Sequence, residues 1–460
     1  MKENKQNTFK SINPYNGEEI ASYTEHTEKE VNSILEKSLE AFESWRKVPI
    51  RERSQLMRKA AGLLRKNVDR YARTMTLEMG KPIGESKAEI NKCAWVCEFY
   101  AENAARFLAD EIIETEASES FVSHDPIGPV LAIMPWNFPF WQVFRFTAPA
   151  LMAGNTVLLK HASNVFGCAT HIEELLREAG FAEGIFQNLF IHHDRTEQIM
   201  ASDIVRAVTL TGSERAGRVV GSLAGKHLKK SVLELGGNNA FIVWEDADMK
   251  EAVKTGVTAR MLNSGQSCIA AKRFILVGKA YDKFVPDFLG QVKSLKKGDP
   301  MDESTELGPL ARKDLADQLS EQVKKSLARG AELLTGGSQQ EAFYEPTVLT
   351  NVQPGMPAFD EETFGPVAAI IRAKDEEEAF ELASQSRYGL GTTLFTEDIE
   401  RARKSVSNIP DGAFFINELV KSDPRLPFGG TKNSGYGREL SREGILEFVN
   451  KKTVYVNKNG

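Results

Sequence analysis

Several things are scarce in this chain, and each scarcity removes a class of function. Cysteines number four in 460 residues. Cys93 and Cys97 stand at helical spacing rather than as a C-x-x-C pair, so no disulfide framework and no zinc pattern is present, no bound metal is expected, and a reducing compartment is. All seven histidines stand at or before His227, which excludes a cysteine-histidine hydrolase with a histidine downstream of Cys268. No apolar run is long enough to span a bilayer, and the polar stretch 1–10 lacks the apolar segment of a signal peptide. Neither sign of charge dominates: a net charge of -6 with 27% charged residues offers no surface for nucleic acid and implies no charged partner. The G-x-G-x-x-G turn of many dinucleotide sites is missing too. What remains is a chain of ordinary composition, long enough for more than one core and expected in the cytoplasm.

Three local motifs carry chemistry. In Asn263-Ser264-Gly265-Gln266-Ser267-Cys268, a cysteine follows a polar loop whose glycine permits close backbone approach. A thiol of ordinary pKa, about 8.5, is a poor nucleophile at neutral pH unless its anion is stabilised; the competing reading is a small buried hydrophobe. Glu234, in Val232-Leu233-Glu234-Leu235-Gly236-Gly237, ends an apolar run where a loop opens at a sheet edge. A carboxylate there is either salt-bridged or catalytic, and Glu234 is the base candidate. Asn137 sits in Met134-Pro135-Trp136-Asn137-Phe138-Pro139, where prolines on both sides stiffen the loop. A rigidly aimed amide suits an oxyanion hole, where one donor contributes about 3 kcal/mol, although turn capping explains it better when the segment is taken alone.

Around these motifs, residues 29–66, 68–79 and 85–108 read as amphipathic helices forming a packing layer. Short apolar strands at 130–133, 156–159, 186–191 and 205–210 then alternate with helical stretches, the clearest being 164–178, which means a parallel, helix-covered sheet. A second α/β unit is expected from strands at 240–243, 274–277, 367–371, 392–395 and 413–416. The tail Thr453-Val454-Tyr455-Val456 alternates like a strand without a local partner, so it pairs with another segment or another subunit.

In their order and spacing the three motifs resemble the NAD(P)-dependent aldehyde dehydrogenase superfamily, over essentially the whole chain. Lys160 after an apolar run, Thr211-Gly212-Ser213, Glu361-Glu362-Thr363-Phe364-Gly365-Pro366-Val367 and Pro427-Phe428-Gly429-Gly430 extend the match. The resemblance implies two parallel-sheet α/β domains with a small β oligomerisation arm: a cofactor domain from 1–110 and 127–234, a catalytic domain at 235–425, and an arm with carboxyl-terminal closure from 111–126 and 426–460. Such arms make homodimers or homotetramers. It also implies that Ser213 contacts the cofactor pyrophosphate, Lys160 the adenine ribose, Trp136 the cofactor edge, and Glu362 with Phe364 the nicotinamide ribose, with Gly212 and Gly236 beside them. Read alone, the turn at Gly212 and Ser213 opens a helix after a strand, which offers backbone donors to a phosphate, but helix capping by Ser213 is the stronger reading. Where NAD-preferring relatives place a glutamate three residues after the lysine, this chain has Ser163, a hydroxyl that tolerates a 2'-phosphate; NADP is admitted beside NAD and modestly favoured.

The mechanism implied by the resemblance is attack of the Cys268 thiolate on an aldehyde, with Asn137 and the Cys268 amide holding the oxyanion. Hydride loss leaves a thioester, and Glu234 activates water to release a free acid. Two departures stand out: a lysine that relatives carry nine residues after the asparagine is Phe146, and a glutamate near their carboxyl terminus aligns with Asn450, so a proton relay behind Glu234 would have lost both ends. Ile269 after the nucleophile rules out a switch made by adjacent cysteines. Arg145 matches an arginine with which succinate-semialdehyde dehydrogenases hold the substrate carboxylate; a salt bridge to another segment is the competing reading, and a second such arginine is Leu262 here. Trp141 and Ser422 complete the expected pocket. The expected reaction is oxidation of succinic semialdehyde to succinate. A broad-specificity aldehyde dehydrogenase is the alternative, followed by a coenzyme-A-acylating relative and, from another class, a non-catalytic binding or structural protein.

Overall fold

A computed structural model describes residues 7–458, so the first six residues of the polar amino-terminal stretch lie outside it. The helical layer is divided where sequence chemistry divides it. Thr27 and Glu30 form a reciprocal capping box that starts Glu28–Trp45. The single helix expected over 29–66 is interrupted, because Pro49 lacks an amide hydrogen and fits only at the start of the next helix, Ile50–Lys66. Val68–Met79 ends at Gly80, whose φ of 79° is left-handed. Pro82 then opens the long helix Ile83–Phe107. These helices pack on Trp141–Ala153, all thirteen residues of which are buried, the pattern of a helix enclosed on every side.

Two sheets follow, joined by residues 235–238. The first runs Gly435–Tyr436, Lys230–Glu234, Ala207–Thr211, Pro129–Met134, Thr156–His161, Phe186–Asn188; all neighbours are parallel except the short edge strand Gly435–Tyr436. The second has seven strands in the order Glu332–Thr335, Thr347–Thr350, Val367–Ala373, Ala271–Val277, Asn239–Val243, Thr392–Phe395, Phe414–Ile416, with only the first pair antiparallel. Parallel strands end at one edge, and in such sheets ligands bind beyond the carboxyl ends. Met134 and Glu234 mark that edge in the first sheet.

A third sheet stands apart. The carboxyl-terminal strand Val449–Val456 pairs antiparallel along its whole length with Glu119–Pro126, which also carries Glu111–Ile112. The tail therefore finds its partner within the same chain. Among the described residues no helix is long and apolar enough to cross a membrane.

Candidate active site

The loop before Cys268 is held by its own strain and by buried hydrogen bonds. Asn263, Ser264 and Gly265 have successive φ values of 55°, 52° and 74°, a conformation costly for residues with a Cβ. Only glycine fits the third position, since a Cβ there would lie 2.4 Å from the Gly365 carbonyl oxygen. The Asn263 amide donates to Glu85 Oε2 at 2.7 Å, Ser264 Oγ to the Gly308 carbonyl at 2.9 Å, and Arg260 Nη2 to the Gly265 carbonyl at 2.6 Å. Beyond the cysteine, buried Lys272 Nζ donates to the carbonyls of Ser267 and Cys268, each at 2.9 Å. Asn137 faces this loop: its Nδ2 donates to the Gln266 carbonyl at 3.1 Å, and its own carbonyl accepts from Asn263 Nδ2 at 2.7 Å. Cys268 is partly exposed. Burial pushes its thiol up to about 11, with Arg145 and Lys272 opposing and Glu362 and Glu234 reinforcing the rise.

Glu234 is buried, and neither carboxyl oxygen has a hydrogen-bond partner among the described residues. Burial and the neighbouring Glu439 raise its pKa well above the usual range, against the pull of Arg145. Glu439 is raised by burial as well and forms a buried ion pair with Arg145. Two carboxyls and one guanidinium thus share a buried site, which disfavours ionising both carboxyls together. Phe428-Gly429 closes it: the Arg145 guanidinium lies 4.5 Å from the Phe428 ring centre, and a Cβ on Gly429 would lie 2.7 Å from Glu234 Oε1.

This corrects the expected relay. Asn450 is exposed and pairs with Asp125 in the outlying sheet, remote from the base, whereas Glu439 supplies a carboxyl beside it. Phe146 is buried against Phe448, the ring centres 5.3 Å apart, so an aromatic core contact stands where relatives carry the lysine. Arg145 is both ion-paired, as the competing reading had it, and exposed to a cavity.

That cavity, about 220 Å³, opens on Cys268 and is walled by Trp141, Arg145, Phe428, Leu262 and Ser422. Glu234 and Asn137 do not line it. The helix expected only to pack supplies a wall, with Glu85, Ala88, Glu89 and Lys92 on one face. Glu89 forms a buried ion pair with Lys81 and accepts from the amides of Phe140 and Trp141, each at 2.9 Å. A carboxylate at that helix start is favourable, and it fixes Trp141 and, one turn on, Arg145. Ser422 Oγ accepts from Lys92 Nζ at 2.8 Å, and Lys92 Nζ lies 4.2 Å from the Trp141 ring centre.

The other expected residues do not line this cavity. Trp136 and Phe364 meet edge to face with ring centres 5.7 Å apart. Glu362 accepts from the Gly237 amide at 3.0 Å and lies 3.7 Å from Lys272 Nζ; burial raises its pKa. Ser434 Oγ donates to the Gly236 carbonyl at 2.7 Å. Ser213 caps Glu214–Lys226, accepting from the Ala216 amide at 3.3 Å, with Gly212 just before it. Lys160 stands next to last in its strand, Thr156–His161, its ammonium without an ion-pair partner among the described residues, and Ser163 is exposed at the following turn. An unpaired cation, a hydroxyl and a helix amino terminus fit a phosphate-bearing dinucleotide.

Sequence reasoning missed Glu439, Lys92 and Lys272. Lys92 had one legible signal, its place on the same helix face as Glu85 and Glu89. Glu439 had none beyond its place after a glycine-rich stretch.

A strained thiol-bearing loop and a buried carboxyl, set between the carboxyl end of one parallel sheet and the amino end of another, define a class: the chain belongs to the aldehyde dehydrogenase family, whose model matches residues 1–454. Within it, a Synechocystis sp. protein named probable NADP(+) succinate-semialdehyde dehydrogenase is 50% identical over 449 residues, 97% of this chain and 99% of that protein. A Mycobacterium tuberculosis NADP(+) succinate-semialdehyde dehydrogenase is 45% identical over 452 residues, again 97% and 99%. Among solved structures, succinic semialdehyde dehydrogenase from Streptococcus pyogenes in complex with NADP+ superimposes with a TM-score of 0.96 at 39% identity, covering 98% of this chain and 100% of that one.

Proposed function

We propose that this chain oxidises succinic semialdehyde to succinate with NADP+ as the acceptor. The observation that carries the reading is a cavity holding the Cys268 thiol on one wall and the Arg145 guanidinium on another. The names of the relatives agree with it. When bound, NADP+ supplies the hydride acceptor, and Lys160, Ser163, Ser213, Trp136, Glu362 and Phe364 would hold it. Deprotonated Cys268 attacks the aldehyde carbon, while Asn137 Nδ2 and the Cys268 amide stabilise the oxyanion. Glu234, its proton affinity raised by burial, takes a proton from water, which opens the resulting thioester to a free acid. Glu439 and Arg145 set the charge that Glu234 can hold.

Assembly as a homodimer or homotetramer is part of the proposal, supported by exposed Ile112, Ile113 and Tyr455 on and beside the outlying sheet. So is a cytoplasmic location, supported by four free cysteines. A broader aldehyde specificity has one observation in its favour, the Arg145–Glu439 pair, which neutralises the guanidinium before substrate arrives.

Initial rates with succinic semialdehyde, butanal and benzaldehyde, each with NADP+ and NAD+, test the reading. Succinic semialdehyde with NADP+ is expected to have the highest kcat/KM, with succinate released in the absence of coenzyme A. Equal rates for neutral aldehydes would favour the broader specificity, and a strict need for coenzyme A would overturn the hydrolytic step.

A further inference from the structure

We propose that Lys92, rather than Arg145 alone, anchors the distal carboxylate of the substrate, with Ser422 completing the contact. The proposal rests on the reading of the reaction given above and deepens it.

The argument is one of charge around the cavity. Four cations line it: Lys81, Lys92, Arg145 and Lys421. Lys81 is paired with Glu89, Arg145 with Glu439, and Lys421 with Glu418. Lys92 alone of the four has no carboxylate within ion-pair distance among the described residues. Glu85, the remaining acid on its helix face, is engaged by the Asn263 amide, and Asp423 is paired with Arg425 at 2.6 Å. The Lys92 ammonium has three donors. One serves Ser422 Oγ, and the indole face of Trp141 offsets part of the cost of burial.

An unpaired ammonium in a largely apolar cavity is costly unless an anion arrives to meet it. Burial, with Arg145 adding to it, holds the Lys92 pKa down to about 8; the group is still cationic at neutral pH, and an incoming carboxylate stabilises that form. The aldehyde end of the same molecule must reach Cys268, which lines the same cavity. Arg145 then has two tasks, orienting the substrate and balancing Glu439, whereas Lys92 has none except the ligand.

The test compares wild type with Lys92→Met, which keeps the stem over Trp141 and removes the charge, and with Lys92→Arg, which keeps the charge. Each is assayed with succinic semialdehyde and with butanal, the same four-carbon chain without a carboxylate, using NADP+. Loss of one charge-assisted contact is expected to raise the KM for succinic semialdehyde about 10-fold or more, with a smaller change in kcat, and to lower its selectivity over butanal by a similar factor. Lys92→Arg is expected to recover part of that selectivity. If Lys92→Met does not fold, Lys92→Gln replaces it in the same comparison. Wild-type preference for succinic semialdehyde that survives loss of the charge would sink the Lys92 assignment and leave the proposed function standing. Absence of that preference in the wild type would overturn both.

Discussion

Cys268 is surrounded by groups that pull its proton in opposite directions. Burial, Glu362 and Glu234 hold the proton on; Arg145 and Lys272 draw it off; the outcome is a thiol pushed up to about 11. Because the folded pKa lies above the ordinary value of about 8.5, the thiolate is scarcer at neutral pH than in a free cysteine and grows with pH through the alkaline range. Iodoacetamide inactivation of the cofactor-free protein is therefore expected to accelerate about tenfold per pH unit from 7 to 10 without levelling. A plateau near pH 8 would contradict the environment described. At neutral pH the thiol proton needs an acceptor, and the proposed base Glu234 can take it, or a proton from water, only while ionised, a form that burial and Glu439 disfavour. Glu234→Gln is then expected to lower kcat by about 100-fold or more at pH 7.5. At pH 10 solvent base replaces the first task, so a pre-steady-state burst of reduced cofactor should return while steady turnover stays slow. Cys268, Glu234 and Asn137 were legible in the sequence because each sits in a motif whose local chain shape is part of its chemistry. Glu439 was not: its influence on Glu234 comes from tertiary adjacency, and nothing in Gly437-Arg438-Glu439 announces it.

Among the elements, the loop at residues 263–265 carries the strain that aims the cysteine. Gly265→Ala is expected to destabilise the protein by about 2 kcal/mol or more and to cost activity beyond that, since the new Cβ would meet the Gly365 carbonyl at 2.4 Å. Thermal melts and kcat, measured together, check both parts; a variant with wild-type values would mean that the loop relaxes freely. The helix Ile83–Phe107 shows the opposite limit of sequence reading. Its periodicity announced a helix, but Glu85, Glu89 and Lys92 recur at the same spacing as a solvated stripe would. Whether that stripe meets water or a cavity depends on Trp141–Ala153 packing against it. The break before Ile50 is legible in Pro49, which lacks an amide hydrogen and can only open a helix there.

For the whole molecule, the alternation of strands and helices made the parallel architecture readable, while strand order was not. The antiparallel edge strand Gly435–Tyr436 reaches Glu234 from far along the chain, a connection that periodicity cannot carry. The same long reach brings Lys160, Ser163 and Ser213 to one edge, and it sets a prediction for the folded protein as a unit. A ligand bound only by the native state adds about 2.7 kcal/mol at 100 times its Kd. At equal concentrations NADP+ is expected to raise Tm more than NAD+, and Ser163→Glu to reverse that order by repelling the 2'-phosphate. Equal shifts in wild type would remove Ser163 from the discrimination.

Glu234 closes a strand of one sheet, and Cys268 stands three residues ahead of a strand of the other, with residues 235–238 leading from the first strand into the second sheet. The proposed base and the proposed nucleophile thus stand on different sheets. Turnover is then expected to depend on how the two sheets pack together, and a substitution between them to lower kcat while circular dichroism stays unchanged.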